Sequence, residues 1–393
     1  MQSFEYHNPT EIVFGQGAEN KTAEKIKKYG GTRVMIVYGG GSVVRSGLLE
    51  KIEKLLTDAG LLYISLGGVH PNPYLEFARE GVKKAIDFKA DFILPIGGGS
   101  VIDTGKAIAH GTANPDTDIW DFWTGKTVLT RSLPVASILT IAAAGSETSD
   151  SAVLTEQATA SKRGLNTPFN RPKFAIMNPE FTYTLPKYQI ACGVSDILMH
   201  TMDRYFTNVE GNDFTDIVAE GLLKNVICHG RVALEKPTDY HAMSEIMWCG
   251  SVSHNDFTGL GRIKDFATHK LGHELSGKFD VAHGASLTTM WASWARYVYK
   301  INPERFAQFA VAVWGIQPID TEKAALAGIS AMERFFHGIG MPTNFTELGI
   351  GVQDEAVLAE MADMCTDCGR KTVANFKELT RDDVYEIYKM ANH

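Results

Sequence analysis

One carboxylate and three imidazoles in the second half of the chain are spaced as ligands for a cation. Asp196 and His200 lie in SDILMH; His269 and His283 lie in THKLGHELSGKFDVAH, with His273 between them. On a helix, the i, i+4 step from Asp196 to His200 puts both side chains on one face a turn apart, aimed at a common point. His269 and His273 repeat that step inside an apolar run that reads as helix. His283 follows SGKFD, which reads as a break that lets the chain return. One carboxylate and three neutral imidazoles make a mixed nitrogen and oxygen set suited to a single divalent metal, Fe(II) or Zn(II), with no thiolate to select a softer ion. Such a set can keep a position open for substrate. Taken singly, each histidine also fits an ordinary buried or surface position; it is the set that points to a metal.

The first half carries a different chemistry. Ile96 ends the strand-like DFILPI and runs into Gly97, Gly98, Gly99 and Ser100, followed by VIDTGKAIAHG, which reads as helix. Glycines at that junction let backbone N–H groups approach an anion closely, and the helix start adds partial positive charge, so a pyrophosphate would fit. A second turn, Gly39, Gly40, Gly41 and Ser42, follows RVMIVY, where the adenosine ribose of a dinucleotide would lie. Neither turn is GxGxxG, and a glycine turn alone also suits a plain tight turn. From Gly39 to Gly47 there is no acidic residue to hydrogen-bond a ribose diol and repel a 2′-phosphate. Glycine N–H groups, the Ser42 hydroxyl and nearby Arg45 would accept that phosphate, which predicts NADP(H) in preference to NAD(H).

These residues need elements to hold them. Up to Pro186, the strand-like runs RVMIVY, LLYISL, DFILPI and VASILTI alternate with amphipathic patterns such as LLEKIEKLLTDAG and LEFAREGVKKAIDF. That rhythm predicts a doubly wound, mostly parallel α/β domain over residues 1–186. From Lys187 the strand signals stop and long helical patterns take over, predicting an all-helical domain over 187–393. The 393 residues suffice for two cores. A net charge of −8 argues against nucleic acid or an anionic membrane as partner. MQSFEYHNPT lacks the features of a signal peptide, and no apolar run approaches membrane-spanning length, so the expected location is cytoplasmic. The five cysteines are odd in number and scattered, unlike a disulfide framework. Cys365 and Cys368 form a CxxC with no second half to complete a zinc site, and read as incidental helix neighbours. Asp103 and Lys106 are spaced as a surface ion pair as well as for a site, and Trp120, Phe122 and Trp123 read as core packing before cleft lining.

In combination, GGGSVIDTGKA, AAAGSETSDSAV, GVSDILMH and HKLGHEL followed by DVAHG resemble the iron-containing (group III) alcohol dehydrogenases, and within them the butanol dehydrogenase and NADP-dependent aldehyde reductase branch. The similarity runs from FEYHNPTEIVFG to EIYKM. It implies a Rossmann-like N-terminal domain and a helical C-terminal domain, the architecture shared with dehydroquinate synthase. It further implies that Asp196, His200, His269 and His283 hold the metal, with His273 a non-ligand near the nicotinamide. Gly98, Gly99 and Ser100 would hold the pyrophosphate with Asp103 nearby, and Asn72, Thr140 and Lys162 would also contact the cofactor. The family often has Thr-Thr or Thr-Pro where this chain has Thr140-Ile141.

The expected reaction is hydride transfer between a nicotinamide and a small, mostly apolar alcohol or aldehyde, butanol-like in size. A cation held by three imidazoles and one carboxylate keeps a charge of about +1 and acts as a Lewis acid on the substrate oxygen. His273, titrating near working pH, is the candidate for passing the hydroxyl proton towards solvent. A lyase like dehydroquinate synthase would need several cationic side chains near the metal, and only Arg262, Lys264 and Lys270 are at hand, beside Phe257, Leu260 and Phe266. A scaffold without turnover would predict a broken ligand set. A homodimer is the expected assembly, as the commonest closed arrangement.

Overall fold

Four strands of the N-terminal half are apolar on both faces because both faces are covered. In the computed structural model, which describes residues 1–159, 161–317 and 320–393, this half contains β1 (Glu11–Phe14), α1 (Thr22–Lys28), β2 (Arg33–Tyr38), α2 (Ser42–Arg45), α3 (Leu48–Asp58), β3 (Leu62–Gly67), α4 (Leu75–Phe88), β4 (Phe92–Gly97), α5 (Gly99–Ala113), α6 (Trp120–Trp123), β5 (Ser137–Leu139), β6 (Ser151–Glu156), β7 (Ser161–Asn166) and β8 (Phe174–Met177). Six of the strands form one sheet in the order β1-β8-β5-β4-β2-β3, every pair parallel. Side chains alternate across it. Val34 and Ile36 of β2, with Phe92, Leu94 and Ile96 of β4, face Ile26 of α1 and Ile52 and Leu56 of α3. Met35 and Val37 face the other way, towards Ala85 of α4 and Ile108 and Ala109 of α5. This period of two on a strand that is buried throughout is what a doubly covered parallel sheet requires.

The strands β6 and β7 form a separate antiparallel hairpin. Trp123 and Phe122 pack into the core with Ala152 and Leu154 of that hairpin, and the Trp123 indole N–H donates to the Ala152 carbonyl at 3.1 Å. The core-packing reading of these aromatics therefore matches what is seen.

The second half is helical: α7 (Lys187–Tyr205), α8 (Asp213–Glu235), α9 (Tyr240–His254), α10 (Ala267–Phe279), α11 (His283–Val298), α12 (Pro303–Trp314), α13 (Thr321–Gly338), α14 (Glu355–Thr366) and α15 (Arg381–Ala391). Among the described residues, no helix is long and apolar enough to cross a membrane. The chain divides into two compact units, His7–Thr184 and Leu185–His393, the latter joined by Met1–Tyr6. The first six residues go with the helices because their backbone is held there. The Met1 ammonium donates to the Glu210 carbonyl at 2.6 Å, Gln2 N–H donates to the Gly261 carbonyl at 2.8 Å, and Tyr6 packs on Phe257. Cys365 is buried in α14 and Cys368 is exposed just beyond it; all five thiols are reduced. Burial pushes the Cys365 thiol up to about 12.

Candidate metal centre and nucleotide loops

From Ile190 to Tyr205, α7 is buried around almost its whole circumference, by α8, α9, α10 and α11. A helix enclosed on all sides can point polar groups inward only if something there satisfies them. Asp196 and His200 do so, both 4 % exposed. His269 enters from the first turn of α10, and His283 is the first residue of α11. The return that brings His283 in is sharper than SGKFD suggested: α10 continues to Phe279, and the break is Asp280, in the left-handed region, with the two residues after it. Gly284 lets α11 close on α7, since a Cβ there would stand 2.4 Å from the Cys192 carbonyl oxygen.

Three imidazole nitrogens converge on one carboxylate oxygen. Asp196 Oδ1 lies 3.4 Å from His200 Nε2, 3.7 Å from His269 Nε2 and 3.8 Å from His283 Nε2. Donors bound at about 2.1 Å in a tetrahedron are about 3.4 Å apart, so each imidazole stands near ligand spacing from Asp196, with His283 outside the tighter trio of Asp196, His200 and His269. The donor atoms of Asp196, His200 and His269 all lie within 4.8 Å of one another, the one such group among the described residues. Asp196 Oδ1 and His269 Nε2 are buried and neither has a hydrogen-bond partner. Leaving two such atoms unsatisfied costs about 1–3 kcal/mol each, and a cation between them removes that cost. The residues present fit a divalent metal.

The protonation state of His200 agrees. Burial, with the neighbouring His254 and His269, holds the His200 imidazole well below its ordinary value, in the neutral form a ligand needs. Burial also works against charge on His269, but Asp203 at its Nδ1 and Asp196 outweigh it and raise its pKa. Asp203 is the functional residue that ligand spacing missed. It is 1 % exposed, and its Oδ2 accepts from His269 Nδ1. That bond fixes the proton on Nδ1 and turns the Nε2 lone pair towards Asp196, the carboxylate–histidine arrangement that orients metal ligands. A signal for it existed, because Asp203 is three residues beyond His200 on α7 and so on nearly the same face. Asp265 adjoins it. Its carboxylate accepts from the backbone N–H groups of Ala267, Asn375 and Phe376, fixing the start of α10. Burial, then the Asp203 charge, pushes it up to about 7. His273 is half-buried, its ring 5.4 Å from that of His283 and 6.3 Å from that of His269.

In the α/β unit the two glycine turns begin side by side. β2 and β4 pair in parallel with Tyr38 opposite Ile96, so Gly39–Ser42 and Gly97–Ser100 leave the carboxyl ends of adjacent strands where the strand order reverses, the usual place for a nucleotide. Gly98 caps the 15-residue α5, with Gly99 and Ser100 opening it. A Cβ on Gly98 would stand 2.1 Å from Ile141 Cγ2, so only glycine fits. Gly41 takes φ 101° ahead of Ser42. Thr140 N–H donates to the Gly97 carbonyl at 3.1 Å, which places it beside the Gly97–Ser100 turn. Asn72, at φ 57°, accepts from Lys162 Nζ at 2.9 Å, so these two come together across 90 residues of sequence. Asp103 is turned inward. Its Oδ1 accepts from Ser146 Oγ at 2.6 Å and its Oδ2 from Val153 N–H at 2.9 Å. Lys106 is not on the surface but fully buried, 4.0 Å from Asp103, and donates to the carbonyls of Ser146 and Ser151. Burial lowers its pKa to about 8. The pair braces the 146–151 loop from within, and Arg171 adds a further tie by donating to the Thr148 carbonyl at 2.8 Å.

Comparison with known proteins gives a consistent result over both units. The model for iron-containing alcohol dehydrogenase matches residues 9–179, and that for the C-terminal part of the Fe-containing alcohol dehydrogenase family matches residues 189–392. The chain is 37 % identical to NADH-dependent butanol dehydrogenase A of Clostridium acetobutylicum, over 99 % of each. It is 32 % identical to the NADPH-dependent aldehyde reductase YqhD of Escherichia coli, over the full length of both. The crystal structure of NADH-dependent butanol dehydrogenase A from Thermotoga maritima superposes with a TM-score of 0.95 at 33 % identity, covering 100 % of this chain and 99 % of that one.

Proposed function

Because the chain belongs to the iron-containing alcohol dehydrogenase family, we propose that Asp196, His200, His269 and His283 hold the divalent metal of an NAD(P)(H)-dependent enzyme whose substrates are small, mostly apolar alcohols and aldehydes. The reaction class itself, metal-dependent interconversion of alcohol and aldehyde with a nicotinamide as hydride partner, is that of the family. The observation that carries the assignment is the convergence of three imidazole nitrogens on a buried carboxylate oxygen that has no hydrogen-bond partner.

When bound, the cation polarises the substrate carbonyl and the nicotinamide gives or takes hydride. The chain's own residues do the rest. Asp203 holds the tautomer and orientation of His269. Neutral His200 offers a lone pair because burial denies it a proton. His273, half-buried beside His283, is placed to pass the substrate's proton towards solvent without itself being a ligand. In the α/β unit, Gly98, Gly99 and Ser100 bind the pyrophosphate, with Thr140, Asn72 and Lys162 as further contacts, and Asp103 supports the loop beside them. Gly39–Ser42 and Arg45 make NADP(H) the preferred cofactor, although relatives are named for either form. We further propose a dehydroquinate synthase-like architecture and a cytoplasmic homodimer as the working form.

A polyanionic lyase substrate is disfavoured because, apart from the exposed Lys270, the candidate cations are engaged. Arg262 donates to Asp216 at 2.7 Å, Lys264 pairs with Asp256, and Arg204 lies over the Phe266 ring at 4.9 Å. The test is an activity screen of metal-reconstituted protein that crosses Fe(II) and Zn(II) with NADH and NADPH over a series of short aldehydes. Turnover that depends on added metal and rises with aliphatic chain length is expected. Metal-independent turnover, or none with any aldehyde, would refute the assignment.

A further inference from the structure

A histidine that no ligand spacing singles out reaches the candidate metal centre. His254, the last residue of α9, is 9 % exposed. Its Nδ1 stands 3.0 Å from His200 Nε2, with the two rings edge to face and their centroids 3.9 Å apart. His200 Nε2 is the nitrogen 3.4 Å from Asp196 Oδ1, the atom proposed to bind the cation.

An imidazole nitrogen has one in-plane lone pair. A hydrogen bond to His254 and a bond to a cation cannot both use it, so loading the site ends the His200–His254 contact with Nδ1 of His254 at the edge of the coordination sphere. The 3.0 Å spacing is also one that a shared cation permits. Two donors bound at about 2.1 Å and a right angle to each other are about 3.0 Å apart. His254 stands outside the trio whose donors fall within 4.8 Å of one another, so its ring must turn inward to bind.

We propose that His254 is a further protein donor to the metal, drawn on through Nδ1 when loading ends its contact with His200, so that this chain holds its cation with one carboxylate and four imidazoles. The inference rests on the assignment of Asp196, His200, His269 and His283. A five-donor set favours a cation that accepts five or six ligands, as Fe(II) and Co(II) do, over one confined to a tetrahedron.

Full-length protein loaded with Co(II) tests this, because the visible bands of tetrahedral Co(II) are several-fold stronger than those of five- or six-coordinate Co(II). His254→Leu and His254→Phe remove the donor while filling its volume to different degrees, and melting of the metal-free variants checks that each is folded. Weak bands in the wild type, stronger bands in both variants and Co(II) affinity lowered by about tenfold or more are the expected result. Unchanged spectra and affinity overturn the proposal. Tighter binding in the variants overturns it too, since His254 would then only compete for the His200 lone pair. His269→Ala, run alongside, separates the two levels: if it loses Co(II) while the His254 variants match wild type, only the further donor fails. If His269→Ala binds Co(II) with the native spectrum, the underlying assignment fails.

Discussion

Replacing Asp203 by Asn tests whether a residue that touches no substrate sets the strength of the metal centre. The substitution keeps shape and removes charge. Asp203 is 1 % exposed, so solvent cannot compensate, and its Oδ2 accepts from His269 Nδ1 while its backbone carbonyl accepts from Asp265 N–H at 2.8 Å. An asparagine with its amide oxygen towards Nδ1 keeps a hydrogen bond but loses the charge assistance, which is worth about 1–2 kcal/mol. With its amide nitrogen towards Nδ1 it donates instead, drives the proton to Nε2 and takes away the lone pair facing Asp196. Partners of this kind commonly contribute 10- to 100-fold in metal affinity, or about 1.4–2.7 kcal/mol, and the buried site places Asp203→Asn in that range. Competition against a chromophoric chelator measures it directly. A second readout is independent of the metal: the Asp265 carboxyl, pushed up to about 7 partly by the Asp203 charge, should titrate lower in the variant. Affinity within about twofold of wild type, in a variant that melts normally, would refute the positioning role.

Three other perturbations address separate parts of the account. Gly39→Asp is sterically mild, since a Cβ there meets Val101 Cγ2 at 3.5 Å and the Val69 carbonyl oxygen at 3.6 Å. Its carboxylate should penalise NADPH by about 1–3 kcal/mol in kcat/KM relative to NADH, and an unchanged cofactor ratio would mean that this turn does not read the 2′-phosphate. His273→Ala should retain the metal yet lose rate with an altered pH profile; metal loss on this substitution would make it a ligand. Glu11 carries the pH prediction, because hydrogen bonds from Lys25 at 2.6 Å and Lys28 at 2.7 Å hold its carboxyl down to about 2. A folded value below the unfolded one gives stability that is present above about pH 4.5 and lost as pH falls through about 2. Glu11→Gln should therefore lose roughly 1 kcal/mol less than wild type between pH 6 and pH 2 in urea unfolding, a modest figure because the Glu11 side chain is 30 % exposed. Parallel losses would show that the cluster contributes nothing.

What could be read from the sequence depended on whether a residue's partners were local. RVMIVY and DFILPI announce β2 and β4 because strands buried on both faces must be apolar throughout. β1 and β8 are only four residues each and give no period, and of VASILTI only Ser137–Leu139 pairs in the sheet over more than an isolated bridge. The β6–β7 hairpin escaped notice because SKRGLN is polar and half-exposed. Asp196 and His200 were legible because one helical turn fixes their relation. His269 and His283 needed only the return of the chain at Asp280. Asp203 is 66 residues from His269, and His254 is 54 from His200, so their contacts come from how α7, α9 and α10 pack and leave no mark in spacing. Asp103 and Lys106 show the converse. A spacing that suits a surface pair became a buried brace once the 146–151 loop closed over it.

We propose that one divalent cation sits among Asp196, His200, His269 and His283. Anomalous diffraction, recorded at the metal edge from crystals of metal-loaded protein, tests it most directly. A single strong peak within about 2.2 Å of Asp196 Oδ1 and of Nε2 of His200, His269 and His283 is expected. A peak bound elsewhere, or one held by His273 in place of His269 or His283, would contradict it.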